Sequence, residues 1–149
     1  MKAKSRSASQ SSVGRIVAAG AAAAVVAAVA DVIVYSIGRA SGVSMLAPFQ
    51  WGQPPVVLPI SLLLATVLVA AVLATIMFGL LVRFNSNGVR LFQIVSVPAL
   101  LLSFGAPLSL PQTDASTKAT LIAMHIVSAV AIVLVLSFLG RPVQKIAVE

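Results

Sequence analysis

Asp31 and His125 are the two ionisable side chains that lie inside long apolar stretches of this sequence. A charged group in the hydrocarbon core of a membrane is costly, so such residues face the interior of a helix bundle and often handle protons or ligands. Asp31 lies six residues before the end of the first apolar stretch, and His125 lies six residues after the start of the fourth. At about 1.5 Å per helical residue, both lie about 9 Å below the same surface. We therefore expect the two side chains to face each other.

Three further polar residues are expected near this pair. Thr66 and Ser103 fall at a similar depth in the second and third stretches, so that each helix contributes one group to a single polar layer. Tyr35 lies four residues after Asp31, where it can donate a hydrogen bond to the carboxyl or lie in the aromatic belt at the membrane surface. These residue types fit a hydrogen-bonded packing layer, a proton-linked or ligand-binding site, or a haem or chlorin bound through His125.

Signatures of other chemistry are missing from the sequence. It has one histidine and three acidic residues, with no paired carboxylates, no glycine-rich phosphate loop and no cluster at metal-ligand spacing. The absence of cysteine excludes disulfides, iron–sulfur clusters and thiolate metal sites. A serine nucleophile would have His125 as its one ordinary base. The sequence therefore predicts no enzymatic activity, no metal site and, apart from the haem or chlorin option, no cofactor.

The elements that position these residues are four apolar stretches. Of the 149 residues, 60% are hydrophobic and 9% charged, with a mean hydropathy of +1.10, whereas soluble domains carry about 25% charged residues. About 20 helical residues cross a hydrocarbon core. The pattern predicts an all-α integral membrane four-helix bundle at 16–140, between tails at 1–15 and 141–149. The predicted spans are 16–37, 60–82, 91–110 and 119–139.

The distribution of basic residues predicts the orientation of the bundle. Two of the loops, at 38–59 and 111–118, contain only Arg39 and Lys118. Lys and Arg are enriched in cytoplasmic segments, so both termini are expected in the cytoplasm, in a multi-pass protein of the plasma (inner) membrane. The net charge of +7 does not indicate nucleic acid, because the basic residues lie between apolar stretches. The eight basic residues of the cytoplasmic side are Lys2, Lys4, Arg6, Arg15, Arg83, Arg90, Arg141 and Lys145.

Local signals refine the helices. Ala28-Val29-Ala30 is similar to a signal-peptide cleavage site, but the apolar stretch continues to Ile37, so we expect the first helix to be retained. Pro98 and Pro107 are expected to kink the third helix. Ser116 or Thr117 is expected to cap the fourth.

Three short motifs lie between Leu102 and His125: Phe-Gly-Ala-Pro-Leu-Ser at 104–109, Ala-Ser-Thr-Lys-Ala-Thr at 115–120, and Met124-His125. They resemble a family of small bacterial four-helix membrane proteins that is catalogued as a domain of unknown function, DUF6069. Its members also have a basic N-terminus, an Ala/Val-rich first helix and a histidine near the outer end of the last helix. The resemblance implies a fold and a membrane location, but no activity.

The missing chemistry favours a non-enzymatic accessory or assembly subunit of a membrane complex. Small residues such as Gly20, Ala24 and Ala28 follow helical spacing, and such faces suit contact with a protein partner or a second copy of the chain. The alternative is a proton-coupled small-solute transporter or ligand-binding membrane protein that acts as an oligomer. Small multidrug transporters are similar in having four spans and a carboxylate in the first helix, although theirs is a glutamate with aromatic neighbours.

Overall fold

The computed structural model describes residues 2–48 and 52–141, with side chains described from Val13 onward. Five helices and two short strands make up this part of the chain. The helices are α1 (Lys2–Ala40), α2 (Ile60–Phe84), α3 (Gly88–Ser103), α4 (Gly105–Ser109) and α5 (Ala115–Leu139). The strands are β1 (Leu46–Ala47) and β2 (Val56–Val57), which pair in antiparallel orientation.

Four segments of the described chain are helical, long and apolar enough to cross a membrane. They are Val13–Ala40, Ile60–Phe84, Gly88–Ser109 and Ala115–Leu139. This confirms the predicted all-α four-helix architecture. Each helical segment is longer than its predicted span, because the first segment continues beyond the span at both ends and the other three at one end. Of the predicted C-terminal tail at 141–149, residues 142–149 lie outside the described residues.

Helix α1 is packed through its smallest side chains. Ala19, Ala23, Ala27 and Asp31 recur at four-residue spacing and are all buried. This face lies against α5 and, to a lesser extent, α2. Close helix approach in lipid depends on such small residues, since backbones then gain van der Waals contact. The predicted face of Gly20, Ala24 and Ala28 adjoins this one, with Gly20 buried and Ala24 and Ala28 half-buried against the same core.

Two glycines of α1 mark the closest approaches. A Cβ atom added at Gly20 would clash with the Thr75 side chain of α2, and one added at Gly38 would come within 3.0 Å of Thr120 Cγ2 in α5. Helix α3 packs against α2 and α5, so α1 and α3 occupy opposite corners of the bundle.

The third span is interrupted at Phe104, between α3 and α4. Pro107 has no N–H to donate to the carbonyl of Ser103, and its ring would clash with that carbonyl in a continuous helix. The chain instead tightens by one residue, with Phe104 N donating to Leu101 O at 3.3 Å. Pro98 lies within α3, which continues through it. The interruption therefore belongs to Pro107, and a kink of α3 at Pro98 stays a prediction.

The loop that joins α1 to α2 folds over one end of the bundle. Met45 and Ala47 are fully buried, and they pack with Leu58, Leu121 and Met124 in a second small core. The pairing of β1 with β2 holds this segment in place. The end of the bundle that carries the β-hairpin is called the hairpin end below, and the end that carries the α2–α3 turn is called the turn end.

Asp114 is the N-cap of α5, in place of the predicted Ser116 or Thr117. One carboxylate oxygen, Oδ1, accepts from Thr117 N at 2.6 Å and from Ser116 Oγ at 2.5 Å. The other, Oδ2, accepts from Ser44 Oγ at 2.5 Å and from Thr117 Oγ1 at 3.0 Å. These bonds favour the ionised carboxylate and hold the pKa of Asp114 well below its usual value. The cap therefore also ties the α1–α2 loop to the start of α5.

Candidate functional site

An elongated cavity of about 400 Å³ lies between α2, α3 and α5, with Asp31 of α1 in its wall. On α2 its lining runs from Leu63 to Met77, which corresponds to about 21 Å along a helix axis. Six of the twenty lining residues have polar side chains, and the others are apolar. Largely apolar cavities of about 300–1,000 Å³ with a few convergent polar groups are typical of small-molecule sites. The polar residues are Asp31, Thr66, Ser96, Ser103, His125 and Ser128.

The carboxyl group of Asp31 is the most buried polar group of the cavity wall. Its residue is 4% exposed, and Oδ1 accepts a hydrogen bond of 2.6 Å from Ser128 Oγ of α5. No described residue donates to Oδ2. Since the described residues contain no fully buried side-chain nitrogen or oxygen atom without a partner, Oδ2 borders on open space. Asp31 thus presents one unpaired acceptor to the cavity.

The imidazole of His125 presents a second group to the same cavity. Its Nδ1 lies 2.7 Å from the carbonyl oxygen of Leu121, one turn earlier in α5. A carbonyl oxygen can only accept, so Nδ1 carries the proton. Nε2 has no partner among the described residues and is an acceptor in the neutral imidazole. The cavity therefore has two acceptors, Asp31 Oδ2 and His125 Nε2.

The three remaining hydroxyls of the wall are committed to their own helices. Thr66 donates to Leu63 O, Ser96 to Phe92 O and Ser103 to Leu100 O, each at 2.7 Å. Such bonds to the preceding turn are common for serine and threonine in helices. Each hydroxyl proton is thus already used, and the oxygen atoms can only accept further hydrogen bonds. They therefore add acceptors to the cavity wall.

Four of the five predicted site residues line this cavity, namely Asp31, Thr66, Ser103 and His125. Tyr35 is not among the lining residues, and its hydroxyl donates to Leu58 O in the loop at 3.2 Å. Asp31 and His125 are joined by neither a hydrogen bond nor an ion pair within 4.0 Å. The direct partner of Asp31 is Ser128, three residues beyond His125 and thus on the same face of α5.

Sequence reasoning missed Ser128 and Ser96. The predicted polar layer took one residue from each helix, so the second polar residue of α3 and of α5 was left out. Asp31 lies nine residues before the end of α1, or about 13.5 Å, because the helix continues three residues beyond Ile37. The spacing of Ser128 from His125 is a signal that could have found it.

The cavity opens sideways between α2 and α3. Phe78 and Phe92 hold these helices together near the turn end, with ring centroids 5.1 Å apart in an edge-to-face arrangement. Toward the hairpin end Thr66, Leu73 and Ala99 line the cavity and are also exposed on the outer surface of the bundle. In a membrane this opening would face lipid.

Metal and haem sites were assessed on the described residues alone. They contain no group of three His, Cys, Asp or Glu side chains that could hold a metal ion. The binding of a haem or chlorin through His125 stays a prediction, for which the available atom is Nε2.

Comparison with known proteins identifies the relatives of the chain. The profile of the family of unknown function DUF6069 matches residues 11–141. The chain belongs to this family. The match spans all four apolar helices and both acceptors of the cavity, so the fold described above is that of a DUF6069 member. Neither a curated protein nor a solved structure matches the chain significantly.

Proposed function

We propose that this membrane protein binds a small, largely apolar molecule with a hydrogen-bond donor, such as an amine or hydroxyl group. The single observation that carries the proposal is the unpaired Oδ2 of Asp31, a residue 4% exposed, in the wall of a cavity of about 400 Å³. A buried carboxyl without its full set of partners is costly in an apolar environment, and a ligand that donates to it would recover that cost.

The surroundings of Asp31 define the chemistry of the ligand. Its donor group would lie against Asp31 Oδ2 and His125 Nε2, since both atoms accept. Its body would be apolar, because Val67, Ala74, Met124 and Ile132 belong to the wall. The lateral opening between α2 and α3 supports entry from the bilayer, where lipophilic molecules are concentrated.

Binding is a better fit than catalysis. The proton of Ser128 is donated to Asp31 and that of His125 Nδ1 to Leu121 O. In the described residues no serine is hydrogen-bonded to His125, so the arrangement that activates a serine nucleophile is not assembled. Asp31 is, however, the one carboxyl group in the four spans. Its Oδ2 accepts when the carboxyl is ionised and carries the proton when it is neutral, so that release of this proton on binding of a cationic ligand would make binding proton-coupled.

The accessory or assembly subunit remains a second candidate, and α3 is the helix that favours it. Its buried residues are Gly88 and Phe92, both near the turn end, whereas Ile94, Val97, Leu101 and Leu102 are exposed. A partner helix, or α3 of a second copy, could pack there. We place either assembly in the plasma membrane of a bacterium, with both termini cytoplasmic.

Purification of the full chain in mild detergent, followed by native mass spectrometry, distinguishes the two candidates. The binding function predicts a monomer or homo-oligomer that retains a small molecule. Ala99→Phe narrows the opening at an exposed position and should abolish retention, whereas Val97→Phe on the exposed surface outside the cavity should not. A stoichiometric protein partner with no retained small molecule in either variant would favour the subunit and overturn the binding function.

A further inference from the structure

A second groove, of about 520 Å³, lies between α1 and α2 at the turn end and shares no lining residue with the Asp31 cavity. The part of the groove nearest the turn end is lined by Arg15, Arg83 and Arg141. The part farther from the turn end is apolar, and Val17, Ile76 and Leu80 in its walls are each more than half exposed. The groove thus has a cationic rim that continues into an apolar channel along the helices.

The three arginines have no described carboxylate to neutralise them. The chain has three acidic residues, of which Asp114 caps α5 at the hairpin end and Asp31 lies in the other cavity. The third, Glu149, lies outside the described residues. Arg15 Nη1 instead donates to the backbone carbonyl oxygen of Arg141 at 3.3 Å, which places the Arg15 guanidinium next to residue 141. Three neighbouring cations without a counter-charge attract an anion, and guanidinium groups match the geometry of phosphate.

We propose that this groove binds an anionic phospholipid, with its phosphate against Arg15, Arg83 and Arg141 and one acyl chain along α1 and α2. Basic pockets between membrane helices are a recurring form of lipid-headgroup site. The apolar channel argues for a lipid over a free anion, because a free phosphate would leave Val17, Ile76 and Leu80 without a ligand to contact.

Gly79 is the residue that keeps the channel open. It lies in α2 within the lining, and a Cβ added there would lie 3.6 Å from Ile16 Cγ2, an ordinary contact. Gly79→Ala should therefore fold and retain the lipid, whereas Gly79→Leu would fill the channel without any change in charge. The two substitutions test the contribution of the channel to lipid binding separately from that of the arginines.

The test measures phosphatidylglycerol retained by the full chain after transfer from mixed phosphatidylglycerol and phosphatidylcholine micelles, by native mass spectrometry. Wild type should retain one phosphatidylglycerol in preference to phosphatidylcholine. Arg83→Gln and Arg141→Gln should each weaken retention about fivefold, the contribution of one basic residue near an anionic lipid surface. Arg90→Gln is the matched control, since Arg90 is exposed at the same end and does not line the groove.

Gly79→Leu should also weaken retention, and circular dichroism checks that each variant keeps its helices. Equal retention by Arg83→Gln, Arg141→Gln and Arg90→Gln would show unspecific lipid attraction and overturn the proposal. Complete displacement by inorganic phosphate would show a site for a free anion, and full retention by Gly79→Leu would show that no acyl chain lies in the channel. Either result would overturn the proposal as well.

Discussion

Asp31 has one carboxyl oxygen that serves helix packing and one that is open to a ligand. Its Oδ1 is tied to Ser128 Oγ across the α1–α5 contact, which stabilises the bundle, while Oδ2 is left toward the cavity. A carboxyl used for packing alone would gain from a second donor, and several hydroxyls lie in the same wall. Those of Thr66, Ser96 and Ser103 donate to their own helices instead. This division is the residue-scale reason for assigning ligand binding to the cavity.

Ser128→Ala removes the described donor to Asp31 and should lower the free energy of unfolding by about 0.6–1.7 kcal/mol, the range of hydrogen bonds between membrane helices. In a double-mutant cycle Asp31→Ala and Ser128→Ala should together cost less than the sum of the single variants. The measurement is unfolding of the detergent-solubilised chain. Ser96→Ala is the control, because its hydroxyl bonds Phe92 O within α3. Strictly additive losses would contradict the pairing.

The expected Asp31–His125 pair gives a second double-mutant cycle, for which the structure predicts a weaker coupling. Asp31→Asn and His125→Ala should each lower thermal stability. Their coupling should be smaller than that of Asp31 with Ser128, since no hydrogen bond or ion pair joins the two side chains. Coupling larger than the Ser128 value would mean that His125, and not Ser128, is the main partner.

At the scale of elements, the sequence was sufficient for the number and length class of the helices. Continuous apolar stretches can satisfy their backbone in lipid only as helices, so existence and order follow from composition. Helix rotation does not follow in the same way. Because α1 is Ala-rich on every side, hydropathy could not select the face with Ala19, Ala23 and Ala27. The Ser44–Asp114 hydrogen bond joins residues 70 positions apart, and hydropathy patterns within single helices cannot predict such a contact.

The α1–α2 contact is tested at Gly20. Gly20→Ala should lower the melting temperature, because its Cβ would clash with the Thr75 side chain. Thr75→Ala removes the two nearest clashing atoms and should restore most of the loss. Gly14→Ala in the same helix is the matched control, with nothing within 4 Å of the added Cβ. Equal effects at Gly14 and Gly20 would show that helix propensity, and not close packing, accounts for the change.

The cap of α5 predicts a pH dependence. Because folding lowers the pKa of Asp114, its stabilisation is complete above the unfolded-state value and is lost as the pH falls below about 4. Asp114→Asn keeps an acceptor for Thr117 N but does not titrate, so its melting temperature should change less between pH 6 and pH 3. Asp114→Ala should be less stable than Asp114→Asn at neutral pH. A pH profile of Asp114→Asn identical to that of wild type would contradict this assignment.

At the scale of the whole molecule, the two ends of the bundle differ in charge and covering. The turn end carries Arg15, Arg83, Arg90 and Arg141, and the hairpin end carries the buried Met45 and Ala47 of the loop. The positive-inside rule predicts that the turn end, with both termini, is cytoplasmic. Protease-cleavable tags at both termini should therefore show identical accessibility in sealed vesicles of known orientation. Opposite accessibility of the two tags would contradict an even number of spans.

Direct titration with a donor-bearing apolar molecule tests the proposed binding through Asp31. The probe is 1-adamantylamine, a compact hydrocarbon cage with one amine, titrated onto the full chain in lipid nanodiscs by calorimetry. Wild type should bind it, and Asp31→Asn should bind at least about tenfold more weakly, since hydrogen bonds to charged groups contribute about 1.5–3 kcal/mol. Equal affinity of wild type and Asp31→Asn, or no binding by wild type, would contradict the claim.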